Sequence, residues 1–160
     1  MTTIENIKIL KGKERKEILD SIKTQFGIEK FNGTLLQRGK ERIFLYEGNF
    51  DEEDLKKLEK IIFIERAGIY LGKLEDHKMR LSIEGSQILK NEIKKNIVEL
   101  DDQEKEIWMM GHEILKKTGL NGFIIMKYKE DLLGTGKASE EKITNFIPKS
   151  RRLRDRSIEK

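Results

Sequence analysis

Three short apolar runs near the end of the chain constrain its fold most: "GFIIMKY" at 122–128, "LLGTGKA" at 132–138 and "KITNFI" at 142–147. Each is too short for a helix with a full apolar face, and only tight turns separate them. Closely spaced short strands of this kind point to a small β-barrel or sandwich. A strand "NIVEL" (96–100) precedes them, followed by Asp101 with Glu104 three positions on. That pair is the signature of a capping box opening a helix that runs through Trp108. "MGHEILKKTGL" then reads as a glycine-bounded turn of helix, with Trp108, Met109 and Met110 as core residues.

The first half has a different rhythm. Ile18, Ile22 and Phe26 stand four apart in "GKERKEILDSIKTQF", which predicts a helix over 12–26 ended by Gly27. "TLLQRGKERIFLY" (34–46) predicts two strands around Arg38-Gly39-Lys40-Glu41. Asn49 with Glu52 opens a second helix whose apolar face is Leu55, Leu58 and Ile62. "IIFIERAGIYLGKL" predicts strands bent or bulged at Gly68 and Gly72, and "MRLSIEGSQIL" a short strand entering a short helix. Pattern lapses in "NEIKKN" (91–96), which sets an expected boundary between domains at 1–91 and 92–160. The fold class is therefore α+β, with a mixed N-terminal domain before a small β-barrel.

Charge is distributed unevenly. The chain carries a net +4, yet Lys142–Lys160 alone carries +5, leaving residues 1–141 at −1. In "PKSRRLRDRS" (148–157) four of the five basic residues are arginine. A basic end of this kind is often only solvated, but guanidinium forks hold phosphate bidentately where an ammonium cannot. The absence of cysteine excludes a disulfide framework and a thiolate metal site. The N-terminal stretch has no secretory-type apolar core. "IIFI" (61–64) and "FIIM" (123–126) fall far short of the about 20 residues a bilayer span needs. These features set the expectation of a soluble, cytoplasmic protein with no membrane partner.

Motifs for catalysis do not complete. "GTGK" (134–137) resembles the end of a phosphate-binding loop, but Asp131 stands where its first glycine belongs and Ala138 where its hydroxyl belongs. Its glycines are better read as close-packing positions in a strand. "HEILK" (112–116) puts Lys116 where a zinc helix needs its second histidine, and the other histidine, His77, is remote in sequence. No nucleophile–base arrangement has a recognisable context. The expectation is a non-catalytic protein with no catalytic residues, metal site or cofactor.

Taken in order, Gly111-His112-Glu113-Ile114-Leu115, Thr118-Gly119-Leu120, "GFIIMKY" and "LLGTGKA" resemble the PUA domain, an RNA-binding pseudo-barrel. Thr118 departs from the proline that often precedes the second glycine. Upstream, "AGIYLGKLEDHKMRLSIEGSQIL" resembles the end of the pre-PUA domain of Nip-type ribosome-biogenesis factors. The ending "ITNFIPKSRRL" is similar to the PUA-like tail of RNA cytosine-5 methyltransferases of the Nol/Nop/Fmu group, although no methyltransferase core accompanies it. The resemblance implies binding of structured rRNA or tRNA during ribosome biogenesis and rRNA processing. The residues it implicates are Gly111, His112, Lys116, Lys117 and Gly119 on the turn, with Lys149, Arg151, Arg152 and Arg154 on phosphates. The rival reading is an adaptor that docks an RNA-modifying enzyme or a ribosome-assembly protein.

Overall fold

The computed structural model describes residues 7–46 and 68–154. The helix expected from Asn49 to Ile62 lies outside the described residues. Among the described residues there are two five-stranded sheets. The first is an antiparallel meander of β1 (Ile7–Ile9), β2 (Thr34–Arg38), β3 (Arg42–Tyr46), β4 (Ile69–Glu75) and β5 (Lys78–Leu81), in that order. Helix α1 (Gly12–Phe26) buries the predicted stripe of Ile18, Ile22 and Phe26 against it. Gly27 ends the helix in the left-handed region, with its N–H on the Lys23 carbonyl at 2.9 Å. The expected irregularity of β4 is a register shift: Ile43 faces Gly72 and Phe44 faces Tyr70, leaving Leu71 as the extra residue. Asp76 and His77 both take positive φ, the geometry of a two-residue turn between β4 and β5.

Helix α2 (Ile83–Ile88) joins the two sheets. Ser82 caps it by accepting from the Gly85 N–H at 2.9 Å, while its own hydroxyl donates to the Tyr70 carbonyl at 2.6 Å. From its other side, the fully buried Ser86 hydroxyl accepts from the Gly134 N–H at 3.2 Å. Gln87 Oε1 accepts from the Leu132 N–H at 2.7 Å. Gly85 sits so close to Leu71 that a β-carbon there would meet the Leu71 carbonyl. The helix is therefore bonded to one sheet and wedged against the other.

The second sheet runs β6 (Ile97–Glu99), β8 (Gly122–Tyr128), β9 (Asp131–Ala138), β10 (Lys142–Thr144), β7 (Ile114–Leu115). Only the β6–β8 pair is parallel. Ile114–Leu115 corrects the expected turn of helix: Gly111 stops the preceding helix, and the chain pairs with β10 instead. Helix α3 (Asp102–Met109) opens with the expected capping box. The Glu104 N–H donates to Asp101 Oδ1 at 2.7 Å, and the Asp101 N–H to Glu104 Oε1 at 3.0 Å. Trp108 is fully buried, and its indole N–H donates to the Leu133 carbonyl at 3.2 Å. Gly136 of the "GTGK" run makes room for it, since a β-carbon there would stand 2.8 Å from Trp108 Cη2 and 2.6 Å from Ile143 Cγ2.

One apolar cluster gathers Ile18, Ile22 and Phe26 of α1, Leu35, Ile43 and Met79 of the first sheet, and Phe123, Ile125 and Leu132 of the second. A smaller cluster surrounds Trp108. Residues 91–96 are tied to the end of α1. The Lys94 N–H donates to the Phe26 carbonyl at 2.8 Å, and the Asn96 amide donates to the Gln25 carbonyl.

Candidate nucleic-acid interface

The C-terminal end of α3 leaves its last carbonyls in need of partners. Gly111, at φ +91°, turns the chain so that its N–H meets the Trp108 carbonyl at 3.0 Å and the His112 N–H meets the Ile107 carbonyl at 3.2 Å. This is the Schellman arrangement, which favours glycine at its left-handed position. The remaining groups are met by the segment after β10. Asn145 donates from Nδ2 to the Trp108 carbonyl at 2.7 Å and to the His112 carbonyl at 3.0 Å, and accepts from the Ile147 N–H at 2.8 Å. The Leu153 N–H closes on the Met109 carbonyl at 2.7 Å.

The basic segment is thus strapped across the helix end. A 3-10 turn at Lys149–Arg151 begins at Pro148. Arg152 donates from Nε to the Ile147 carbonyl at 2.9 Å and lies over Gly111. A cation there suits the negative end of the helix dipole. Arg151 forms an ion pair with Glu84 of α2. Lys149, Arg151, Arg152 and Arg154 are all exposed.

The other expected residues are placed apart. Lys116 reaches the opposite end of α3, pairing with the capping-box carboxylate of Glu104 at 3.2 Å and approaching the Glu99 carbonyl at 3.5 Å. From Glu104 to Gly111 the chain rises about 10 Å along the helix axis. Lys117 and Gly119 are exposed in the loop beyond, and Gly119 has φ +75° with open space where a β-carbon would go. So Gly111, His112 and the 149–154 segment lie together, and the Lys116 ammonium sits at the other end of α3. No group of His, Cys, Asp and Glu suited to a metal occurs among the described residues. No helix of the described residues is long and apolar enough to cross a membrane.

Residues 95–153 match the family model described as the methyltransferase RsmF PUA domain. This part of the chain is similar to a PUA domain of the methyltransferase-tail type. The match begins just before β6 and ends at Leu153, so it takes in α3, the Gly111 turn and the strap. A PUA domain suggests RNA binding. No curated protein matches the chain. The PUA-like segment also contains a residue that sequence reasoning missed, Asn145. In "ITNFIP" nothing local distinguishes it from a loop asparagine, because its partners Trp108 and His112 lie far back in the chain.

Proposed function

We propose that the protein is a non-catalytic factor that binds structured rRNA or tRNA in ribosome assembly. The observation that carries this reading is the arginine-rich strap held on the Gly111 turn within the PUA-like segment. Double-helical RNA is recognised through shape, 2′-hydroxyls and phosphates rather than base edges. A surface of exposed guanidinium groups on a fixed backbone suits phosphates, and fixing the backbone reduces the ordering cost of binding.

The test is a titration of the full chain against structured rRNA fragments, tRNA and single strands across salt concentrations. Affinity should fall by orders of magnitude between about 50 and 200 mM salt, as condensed counterions are released by several phosphate contacts. Tight binding that ignores salt would remove the strap from the account. Sequencing RNA crosslinked to the protein in cells, with its copurifying proteins, identifies the target. Recovery of an RNA-modifying enzyme without RNA would establish the adaptor reading instead.

A further inference from the structure

A cleft of about 240 Å³ opens between the two sheets, beside the strap. Its lining comes from both halves of the chain: Tyr70 and Arg80 from the first sheet, Ile83 at the start of α2, Leu133 and Thr135 from β9, and Phe146, Pro148 and Arg151 from the segment after β10. We propose that this cleft takes one unpaired nucleobase, with its phosphate at the mouth beside Arg151. The inference rests on the RNA-binding reading and deepens it.

Size restricts the occupant first. Pockets for drug-sized ligands run from about 300 to 1,000 Å³, so this one suits a single flat heterocycle. The Arg80 guanidinium stands 4.2 Å from the Phe146 ring centroid, and Phe146 meets Phe123 edge-on at 6.1 Å. Aromatic rings and guanidinium planes are the surfaces on which unstacked bases settle. Ile83 and Leu133 add apolar walls.

Thr135 is 4% exposed, and its hydroxyl has no hydrogen-bond partner. A buried hydroxyl without a partner is costly to keep; its oxygen is closed to water here, so a base edge reaches it only as the cleft widens. Burial pushes the Tyr70 phenol above its usual range, against the pull of Arg80 and Lys73, so the group remains a protonated donor. At the mouth the Arg151–Glu84 pair leaves no unbalanced carboxylate to repel a phosphate. Lys149, Arg152 and Arg154 continue from that point, so a strand with phosphates along the strap can turn one base inward.

The experiment uses the full chain and two probes. One is an RNA hairpin with a single bulged position carrying A, G, C, U or no base. The other is the set of free nucleoside monophosphates, followed by amide shifts of Leu133–Gly136. Removing the bulged base should weaken wild-type binding about tenfold, the scale of one stacked base. Thr135→Val keeps the volume and removes the hydroxyl. It should raise Tm by a few degrees, weaken the preferred base-bearing hairpin about fivefold, and leave the abasic hairpin unchanged. Phe146→Leu should reduce the base-dependent step without abolishing salt-dependent binding.

Base dependence in the hairpins assigns the cleft to RNA. Amide shifts with free nucleotides but no base dependence assign the same chemistry to a free nucleotide. Hairpins that bind equally with and without the base, together with unmoved amides, overturn the cleft while leaving RNA binding intact. Loss of all hairpin binding at low salt overturns the RNA reading itself, and amide shifts alone would then define a nucleotide site.

Discussion

Arg152 lies flat across Gly111, so closely that a β-carbon at position 111 would stand 2.5 Å from Arg152 Cδ and 2.9 Å from Cζ. Gly111 therefore meets two demands at once, a left-handed backbone and a flush seat for a guanidinium. Gly119 meets only the first, since nothing lies within 4 Å of its missing β-carbon.

That contrast separates two substitutions. Gly119→Ala should cost about 1 kcal/mol from backbone strain alone. Gly111→Ala adds displacement of Arg152 and should cost about 1–3 kcal/mol. Thermal melts measure the difference. RNA titrations should show Gly111→Ala weakening binding further than its stability loss explains, because the strap is no longer seated. Equal effects at both positions would show that the Arg152 contact is incidental.

The strap arginines should separate charge from folding. Each is exposed, and Arg151 gives up only a partly screened pair with Glu84. Replacing Arg151, Arg152 and Arg154 with alanine should therefore cost about 0.5 kcal/mol at Arg151 and about 1 kcal/mol at Arg152, which also gives up its hydrogen bond to the Ile147 carbonyl. RNA affinity should fall for all sequences alike, since phosphate contacts position without specifying. The slope of log affinity against log salt should become shallower by up to about 0.9 for each phosphate no longer neutralised. Lysine at the same positions should restore most of the slope but not the full affinity. Unchanged affinity in the alanine variant would leave the strap as a structural tie.

Asn145 should matter to stability more than any exposed arginine. Asn145→Leu removes the amide from the His112 carbonyl and the Ile147 N–H, and leaves the Trp108 carbonyl with the Gly111 N–H. Groups left unsatisfied cost about 1–3 kcal/mol each where water cannot reach them. The expected outcome is a Tm lowered by several degrees and weaker salt-dependent RNA binding, because the strap is then held to α3 through the Leu153 N–H. A variant that melts like the wild type would show that water replaces the amide.

Local rules made much of this legible. The four-residue spacing of Ile18, Ile22 and Phe26, the Gly27 stop and the Asp101–Glu104 box all formed as expected, because each depends on neighbours within a turn. Gly136 was readable as a close-packing position, although only the fold reveals Trp108 as its neighbour. What the sequence concealed depends on distant partners. Ile114–Leu115 is a strand only because Ile143 and Lys142 come alongside. Lys116 pairs with Glu104 at the other end of α3, a contact that no local pattern announces. The cleft needs Tyr70, Thr135 and Phe146 together, and no local pattern connects them.

The two sheets share one core. Phe26 of α1 is fully buried in the cluster that includes Phe123, Ile125 and Leu132, whereas Trp108 belongs to the second cluster. Trp108 is the only tryptophan in the chain, so its fluorescence reports on the second sheet alone. Phe26→Ala removes a large side chain and leaves a cavity, costing about 3–5 kcal/mol. If the sheets unfold as one unit, the tryptophan transition should fall by roughly ten degrees and coincide with loss of far-UV circular dichroism. The coupling has a structural basis: α2 is bonded to Leu132 and Gly134, and residues 94–96 are bonded to the end of α1. Cutting the chain at residue 91 would expose Phe123, Ile125 and Leu132, so the isolated 92–160 fragment should self-associate or lose cooperativity. A tryptophan transition left in place by Phe26→Ala would instead mark the second sheet as independently stable, and the fragment would then serve as a minimal RNA-binding unit.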